Sequence, residues 1–415
     1  MKIPEIDTVC YVGAGTMGCF NALMAAVAGY RAVIYDVSVD ALDRVPQALI
    51  DMAGFLVEQG FFLSDVIPDA LSRIAVSSDL SAAVASANLV SESVSERLEI
   101  KRDVHRTLDA LCAPDTLITT NTSSLLVSNI EDVLIHGDRF AALHSHLGSV
   151  LIDIVGGPRT SPHTIDVLER YVTSIRGMPL VLKKENPGYV LNAMLGPLLT
   201  MAKVLVIEGL ATTEEVDRAW MLNQEANIGP FGLMDLFGLN IIYDGWQEPK
   251  PKNAHLQGKI LNFITPYIEN HTLGVKTGRG FYNYPQPGYQ QSDFLNTTKD
   301  LSFVYHALIS VLIENAILIA HDQVATPIEI DRAWMASFPL AMGPFGALDE
   351  LAIDTFWDTY TGFVERGLFS GALANHVEAY LHPYIDSGQL GVKTGQGFYR
   401  YPDPEFRAPS FVVKR

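Results

Sequence analysis

The sequence predicts an α/β domain built on a parallel sheet, followed by two mostly α-helical repeat domains. Three observations carry this. Short apolar runs alternate with longer amphipathic ones through residues 1–185. After residue 186 strand-like runs nearly vanish and helix-like runs dominate. Within that second half, three motifs recur in one order at a nearly fixed offset.

The first apolar run, TVCYV at 8–12, is rich in β-branched and aromatic residues and stops at Gly13. AVIY at 32–35 is a second run and stops at Asp36. ANLVSESV (87–94) and TLITTN (116–121) read as further strands, and FAAL (140–143) and VLIDIV (150–155) as buried ones. Between them, Met17–Ala28 and Leu98–Leu111 have helical spacing. Strands that alternate with helices imply βαβ units and a parallel sheet. The longest apolar stretch, Tyr189–Ile207, contains Asn192, Pro197 and Lys203, so it reads as a buried helix and not a membrane span.

In the second half VDRAWM (216–221) returns as IDRAWM (330–335), and IGPFGLMD (228–235) as MGPFGALD (342–349), both 114 residues on. GVKTGRGFYNYP (274–285) returns as GVKTGQGFYRYP (391–402), 117 residues on. Three collinear matches make this region two copies of one helical unit. The expected domains are 1–185, 186–290 and 300–415, with the polar segment Gln286–Asp300 as linker.

Composition narrows the function. The 415 residues carry 29 Lys and Arg against 47 Asp and Glu, a net charge of −18. Such a chain repels nucleic-acid phosphates and anionic lipid, so neither nucleic acid nor membrane is expected as a partner. With 48% hydrophobic residues it has ample core. Three scattered cysteines make no disulfide framework, and Pro4, Glu5 and Asp7 stand where a secretory signal would be apolar. A reducing, cytoplasmic setting is the expectation. No His/Cys cluster has metal-ligand spacing, and no G-x-S-x-G elbow marks a hydrolase, so neither a metal centre nor that chemistry is expected.

The first βα turn carries the chemistry. Gly13-Ala14-Gly15-Thr16-Met17-Gly18 is a G-x-G-x-x-G that follows a strand, opens a helix and precedes Asp36 at the end of the next strand. This is the context of a Rossmann-type dinucleotide site. Gly13 permits the turn, Gly15 lets a pyrophosphate approach the backbone, and Gly18 lets helix and strand pack closely. The amides at the helix start, including those of Thr16 and Met17, face the phosphates. Asp36 suits ribose hydroxyls and repels a 2′-phosphate, and Val37-Ser38 offer no arginine, so NAD is preferred to NADP.

Further motifs lie in one order: Glu92-Ser-Val-Ser-Glu96-Arg-Leu-Glu-Ile-Lys101, Asn121-Thr-Ser-Ser124, Arg139-Phe140 before His144, Asn186-Pro-Gly-Tyr-Val-Leu-Asn192, and Gly229-Pro-Phe-Gly232. With the glycine turn, they make the chain resemble the L-3-hydroxyacyl-CoA dehydrogenase family over nearly its whole length. The doubled helical unit resembles members that carry two copies of the C-terminal domain. The resemblance implies an NAD-dependent oxidoreductase that interconverts a 3-hydroxyacyl thioester and the 3-oxoacyl thioester. It implies His144 as the base and Asp153 as the acid that orients it, and Ser123 and Asn192 as hydrogen-bonding partners of the substrate oxygen. Glu96, Lys101 and Asn121 match positions at the cofactor site.

Two departures stand out. The family reads His-Phe-Phe-Asn-Pro after the base, whereas this chain reads His144-Ser145-His146-Leu147-Gly148. Aspartate also replaces the usual glutamate, nine residues after the histidine, which implies a shorter connection. His146 is therefore a rival for the base. Both histidines are placed in a loop at the strand ends, with the site in a cleft between the first two domains and Asn192 on its far wall.

Val45–Ser72, where the family's helices help hold the CoA nucleotide, contains no Lys or Arg. The carrier is thus open between CoA held by other cations such as Arg73 or Lys101, an acyl carrier protein, and a free hydroxy acid. A non-catalytic NAD-binding protein is the remaining alternative. In the second copy, position 306 (192 + 114) is histidine and not asparagine, so that copy is expected to be structural. It would pair with the first as an internal pseudo-dimer in a monomer, as two subunits pair through this domain in single-copy relatives; a homodimer of this chain is the alternative.

Overall fold

The computed structural model describes residues 2–247 and 254–412. The chain forms two compact units. One holds the chain through Asn192 together with Gln323–Glu329; the other holds Ala193–Asp322 with Ile330–Phe411.

The first unit is built on eight strands: β1 Thr8–Val12, β2 Arg31–Tyr35, β3 Ile74–Ser77, β4 Leu89–Glu92, β5 Leu117–Thr120, β6 Phe140–Ser145, β7 Leu151–Gly156 and β8 Met178–Leu182. Their order in the sheet is β3-β2-β1-β4-β5-β6-β7-β8. All pairs are parallel except β6 with β7. Every strand and helix expected from the sequence in this unit is present, Leu98–Leu111 with the same ends. β3 and β8 are additional. The order reverses between β1 and β4, and ligands of open parallel sheets bind at such a switch point. Apolar side chains of the strands pack with Phe20, Leu23 and Ala26 of helix Thr16–Val27 and with Leu168 and Tyr171 of helix Pro162–Ser174.

The second unit has no named strand among the described residues and holds both helical copies. Helices Thr213–Gln224 and Pro230–Phe237 of the first copy correspond to Pro327–Ser337 and Pro344–Leu351 of the second. The repeated motifs meet around buried carboxylates. Asp217 accepts hydrogen bonds from the amides of Phe231 (2.7 Å) and Gly232 (2.9 Å) and from the Tyr282 hydroxyl (2.9 Å). Asp331 does the same with Phe345, Gly346 and Tyr399. A second carboxylate, Asp235, accepts from the amides of Phe281 and Tyr282, and Asp349 accepts from those of Phe398 and Tyr399. The G-P-F-G helix start thus gets its otherwise unpaired amides satisfied by an aspartate 14 residues upstream. A side chain on Gly280 or Gly397 would collide with that second carboxylate, at 2.0 and 2.1 Å.

The second copy's Ser302–His321, with 20 residues, is longer than helix Leu191–Ile207, and is the one described helix long and apolar enough to cross a membrane. Most of it is buried in the second unit.

Lys203 is fully buried in Leu191–Ile207. Its Nζ donates to the Leu199 carbonyl at 2.7 Å and lies 3.7 Å from the Met234 sulfur. Burial pushes this ammonium down to about 7. At the same place the second copy has Ile317, also fully buried. The unfolded chain holds the extra proton between pH 7 and 10.5, so the cost of burying Lys203 is greatest at and below neutral pH and fades as pH rises. Lys203→Ile is expected to stabilise the protein by roughly 2–4 kcal/mol at pH 7, and by much less at pH 10. Urea denaturation at both pH values checks this, and equal gains at the two would refute it.

Candidate active site

The turn after β1 is built so that only hydrogen fits at two of its glycines. Gly13 has φ +116°, and a Cβ there would lie 2.7 Å from the Ser93 carbonyl oxygen. A Cβ on Gly18 would lie 1.9 Å from the Gly13 oxygen. Gly15 differs: nothing lies within 4 Å of where its Cβ would be. It caps the exposed start of helix Thr16–Val27, leaving a bare backbone that a phosphate can approach. Asp36, at the end of β2, accepts from the Ala14 amide at 2.8 Å and from the Ser38 amide at 2.9 Å. Its carboxylate therefore stands at the glycine turn. These residues fit a dinucleotide, with Gly15 as the open cradle and Asp36 as its acidic wall.

His144 lies inside β6 and not in a loop, contrary to the sequence reading. In the antiparallel ladder it stands directly opposite Asp153 of β7. Cross-strand partners share a face, so the nine-residue spacing is that of a hairpin and brings the two side chains together. His144 Nδ1 is 3.0 Å from Asp153 Oδ2. A carboxylate only accepts, so Nδ1 carries the hydrogen and Nε2 the lone pair. Ser123 Oγ lies 3.1 Å from that Nε2. His146, two residues on, reaches the same oxygen: its Nε2 is 2.9 Å from Asp153 Oδ2. The fold thus brings donor atoms of His144, His146 and Asp153 within 4.8 Å of one another, although sequence spacing gave no such cluster. Both imidazoles address one oxygen, which is a hydrogen-bonding arrangement.

Burial lowers the proton affinity of His144, and the neighbouring His146 lowers it further; the bond to Asp153 opposes both. Burial raises Asp153, but the two imidazoles more than reverse this and hold it below the ordinary carboxylate range. The site is thereby poised with a neutral base and an ionised acid.

Ser123 is set in place by Glu96. Its Oε1 accepts from the Thr122 hydroxyl (2.6 Å) and from the amides of Ser123 (2.8 Å) and Ser124 (2.9 Å). Ser123-His144-Asp153 has the connectivity of a hydrolase triad, but the amides that could steady an oxyanion already point at a carboxylate. Lys101, expected at the cofactor, is instead buried: Nζ is 2.8 Å from Glu92 and 3.3 Å from Glu96. Glu92 is also bonded to His105 and to the Thr120 hydroxyl. Burial opposes its ionisation, but His105 and Lys101 outweigh that and bring it to about 2. This buried network supports the loop from beneath. Asn121 Oδ1 accepts from the amide (2.9 Å) and hydroxyl (3.1 Å) of Ser145, which fixes the end of β6.

Sequence reasoning missed Tyr189. The turn Asn186-Pro-Gly-Tyr brings it to φ +51°, held by an Asn186 bond to its carbonyl. Its buried ring lies 5.2 Å from that of His144. The Tyr189 hydroxyl and Asp153 Oδ1 are both buried without a protein partner among the described residues. The signal was a φ-permissive Pro-Gly turn directly before an aromatic. Asn192 follows in the first turn of helix Leu191–Ile207, half-buried.

Comparison with known proteins agrees with this geometry. Residues 8–185 match the NAD binding domain of 3-hydroxyacyl-CoA dehydrogenase. Residues 188–284 and, again, 303–401 match its C-terminal domain. The mouse mitochondrial hydroxyacyl-coenzyme A dehydrogenase is 32% identical over 292 residues, 67% of this chain and 91% of that protein. A diketoreductase whose structure is described with the dual catalysis of dicarbonyl compounds is 32% identical (TM-score 0.63), over 68% of this chain and all of that one. The Escherichia coli 3-hydroxybutyryl-CoA dehydrogenase shares the fold over 92% of this chain and 99% of its own, with TM-score 0.73 at 20% identity. A glycine turn walled by Asp36, a histidine and an acid paired across β6 and β7, and two copies of the C-terminal domain lead to one conclusion: the chain belongs to the 3-hydroxyacyl-CoA dehydrogenase family.

Proposed function

We propose that the protein interconverts a 3-hydroxyacyl thioester and its 3-oxoacyl form, with His144 as the base. The observation that carries this is the fixed tautomer of His144, whose Nε2 lone pair faces Ser123 Oγ at 3.1 Å while Nδ1 is held by Asp153. An alcohol oxygen placed beside the pair, within reach of both, gives its proton to Nε2 and accepts from Ser123 Oγ. Bound NAD⁺ supplies the hydride acceptor, with Gly13, Gly15, Thr16, Met17, Gly18 and Asp36 as the residues that would hold it. As the alcohol becomes a carbonyl, Asp153 steadies the positive charge that forms on His144, and Ser123 holds the oxygen. Asn192, three residues after Tyr189, is the further donor to that oxygen. Glu96 acts by positioning Ser123, and Asn121 by fixing the end of β6.

A second reading, of a substrate without the CoA nucleotide, is favoured by the helices after β2. Helix Val39–Glu58 has one cation, Arg44, near its start. Ile50, Phe55, Leu63 and Val66 are exposed instead. The Phe55 ring lies 3.8 Å from where a Cβ on Gly148 would stand, beside the His146 loop. The cations that could substitute are engaged: Arg73 pairs with Asp69 and donates to the Ala26 carbonyl, and Lys101 is buried on Glu92. A pantetheine thioester on a carrier protein, or a small dicarbonyl compound, suits this apolar wall better than a 3′-phosphate does.

The test follows NADH consumption with acetoacetyl-CoA beside acetoacetyl-pantetheine. Turnover of the CoA ester with much the lower KM establishes recognition of the nucleotide. Equal or better use of the pantetheine ester establishes the second reading. Failure to reduce either, with NADH bound, would overturn the thioester reading.

A further inference from the structure

One oxygen serves two imidazoles. Asp153 Oδ2 is 3.0 Å from His144 Nδ1 and 2.9 Å from His146 Nε2, while Oδ1 of the same carboxylate is buried without a protein partner. The two rings stand edge to face, with centroids 4.3 Å apart. His144 and Asp153 are sealed from solvent, and His146 keeps 11% of its side chain exposed. We propose that His146 is a positioning residue: by sharing Asp153 Oδ2 with His144, it divides the carboxylate between two rings and so sets how readily His144 takes a proton. This rests on the reading of His144 as the base.

The physical argument is one of competition. A carboxylate bonded to a single imidazole lends it most of its negative charge and strengthens it as a base. A second N–H on the same oxygen withdraws part of that charge. A proton on either ring also opposes a proton on the other, because the rings are close and the medium is dry. The other groups facing His144 do not supply this. Ser123 and Tyr189 are neutral, and Glu96, whose charge favours protonation of His144, spends its carboxylate on Lys101 and the Ser123 loop. His146 alone among them weakens the base. Its effect is to keep His144 neutral, and able to accept the substrate proton, to lower pH than a simple His–Asp pair would allow.

The experiment uses the full-length protein labelled with ¹³C-histidine. His144 is titrated by NMR in the wild type, His146→Leu and His146→Gln, with the resonance assigned from His144→Gln. His146→Leu is expected to move the His144 midpoint up by about one pH unit and to carry the acid limb of kcat/KM with it, leaving KM nearly unchanged. His146→Gln, which keeps an N–H donor, is expected to recover part of the shift. An unmoved midpoint in both variants would overturn the inference, whatever the change in thermal stability. A midpoint that rises while the acid limb of the rate profile stays put would uphold it and overturn His144 as the base, because the titration needs no substrate.

Discussion

Replacement of His144 by alanine is expected to lower kcat for the thioester by about 10²–10⁴-fold, the usual worth of a positioned general base, and to leave NAD binding intact. The separation follows from the fold. The glycine turn and Asp36 sit at the ends of β1 and β2, while His144 is held in β6 by its ladder to β7 and by the Asn121 contacts to Ser145. Alanine keeps those backbone bonds and removes only the imidazole. Initial rates and NADH fluorescence titration check both halves. Normal turnover in His144→Ala, with His146→Ala inactive, would transfer the role of base to His146.

The second large effect is on stability. Asp217→Ala and Asp331→Ala each strand two buried amides and a tyrosine hydroxyl that now share one carboxylate. Leaving such donors unsatisfied costs about 1–3 kcal/mol each. The carboxylates are themselves costly to bury: desolvation pushes both up to about 7 against the pull of their donors. The net expectation is a loss of roughly 3–5 kcal/mol in either variant, read by chemical denaturation. Losses of similar size in the two copies mean that the second copy carries its own polar core. An Asp331→Ala protein as stable as the wild type would contradict this.

The fold was legible because its signals are local. β-Branched runs ending at Gly13 and Asp36, and a helical pattern from Leu98 to Leu111, depend on neighbours in the sequence. The glycine turn was legible for the same reason. The site was legible only in its members. His144 and Asp153 can be named, but their opposition across an antiparallel pair depends on register, so sequence alone puts the histidine in a loop. Lys101 can be named as a cofactor-site position, but its burial against Glu92, at the end of β4, depends on how helix Leu98–Leu111 packs on the sheet. The burial of Asp217 and Asp331 is not legible from their motifs because the amides that occupy them lie 14 residues downstream. Tyr189 has a local signal, the Pro-Gly turn before it, but its place against His144 follows from the left-handed turn at φ +51° and from tertiary packing.

The two helical copies lie in one compact unit of one polypeptide, and this changes what a mutation can do. In a symmetric pair of separate chains every substitution appears twice, so each half must tolerate it in both settings. Covalent fusion removes that constraint. Corresponding positions of the two copies can then differ, as Lys203 differs from Ile317 and Asn192 from His306. What the two copies keep in common is the carboxylate-centred turns, built on Asp217 and Asp235 in one and on Asp331 and Asp349 in the other.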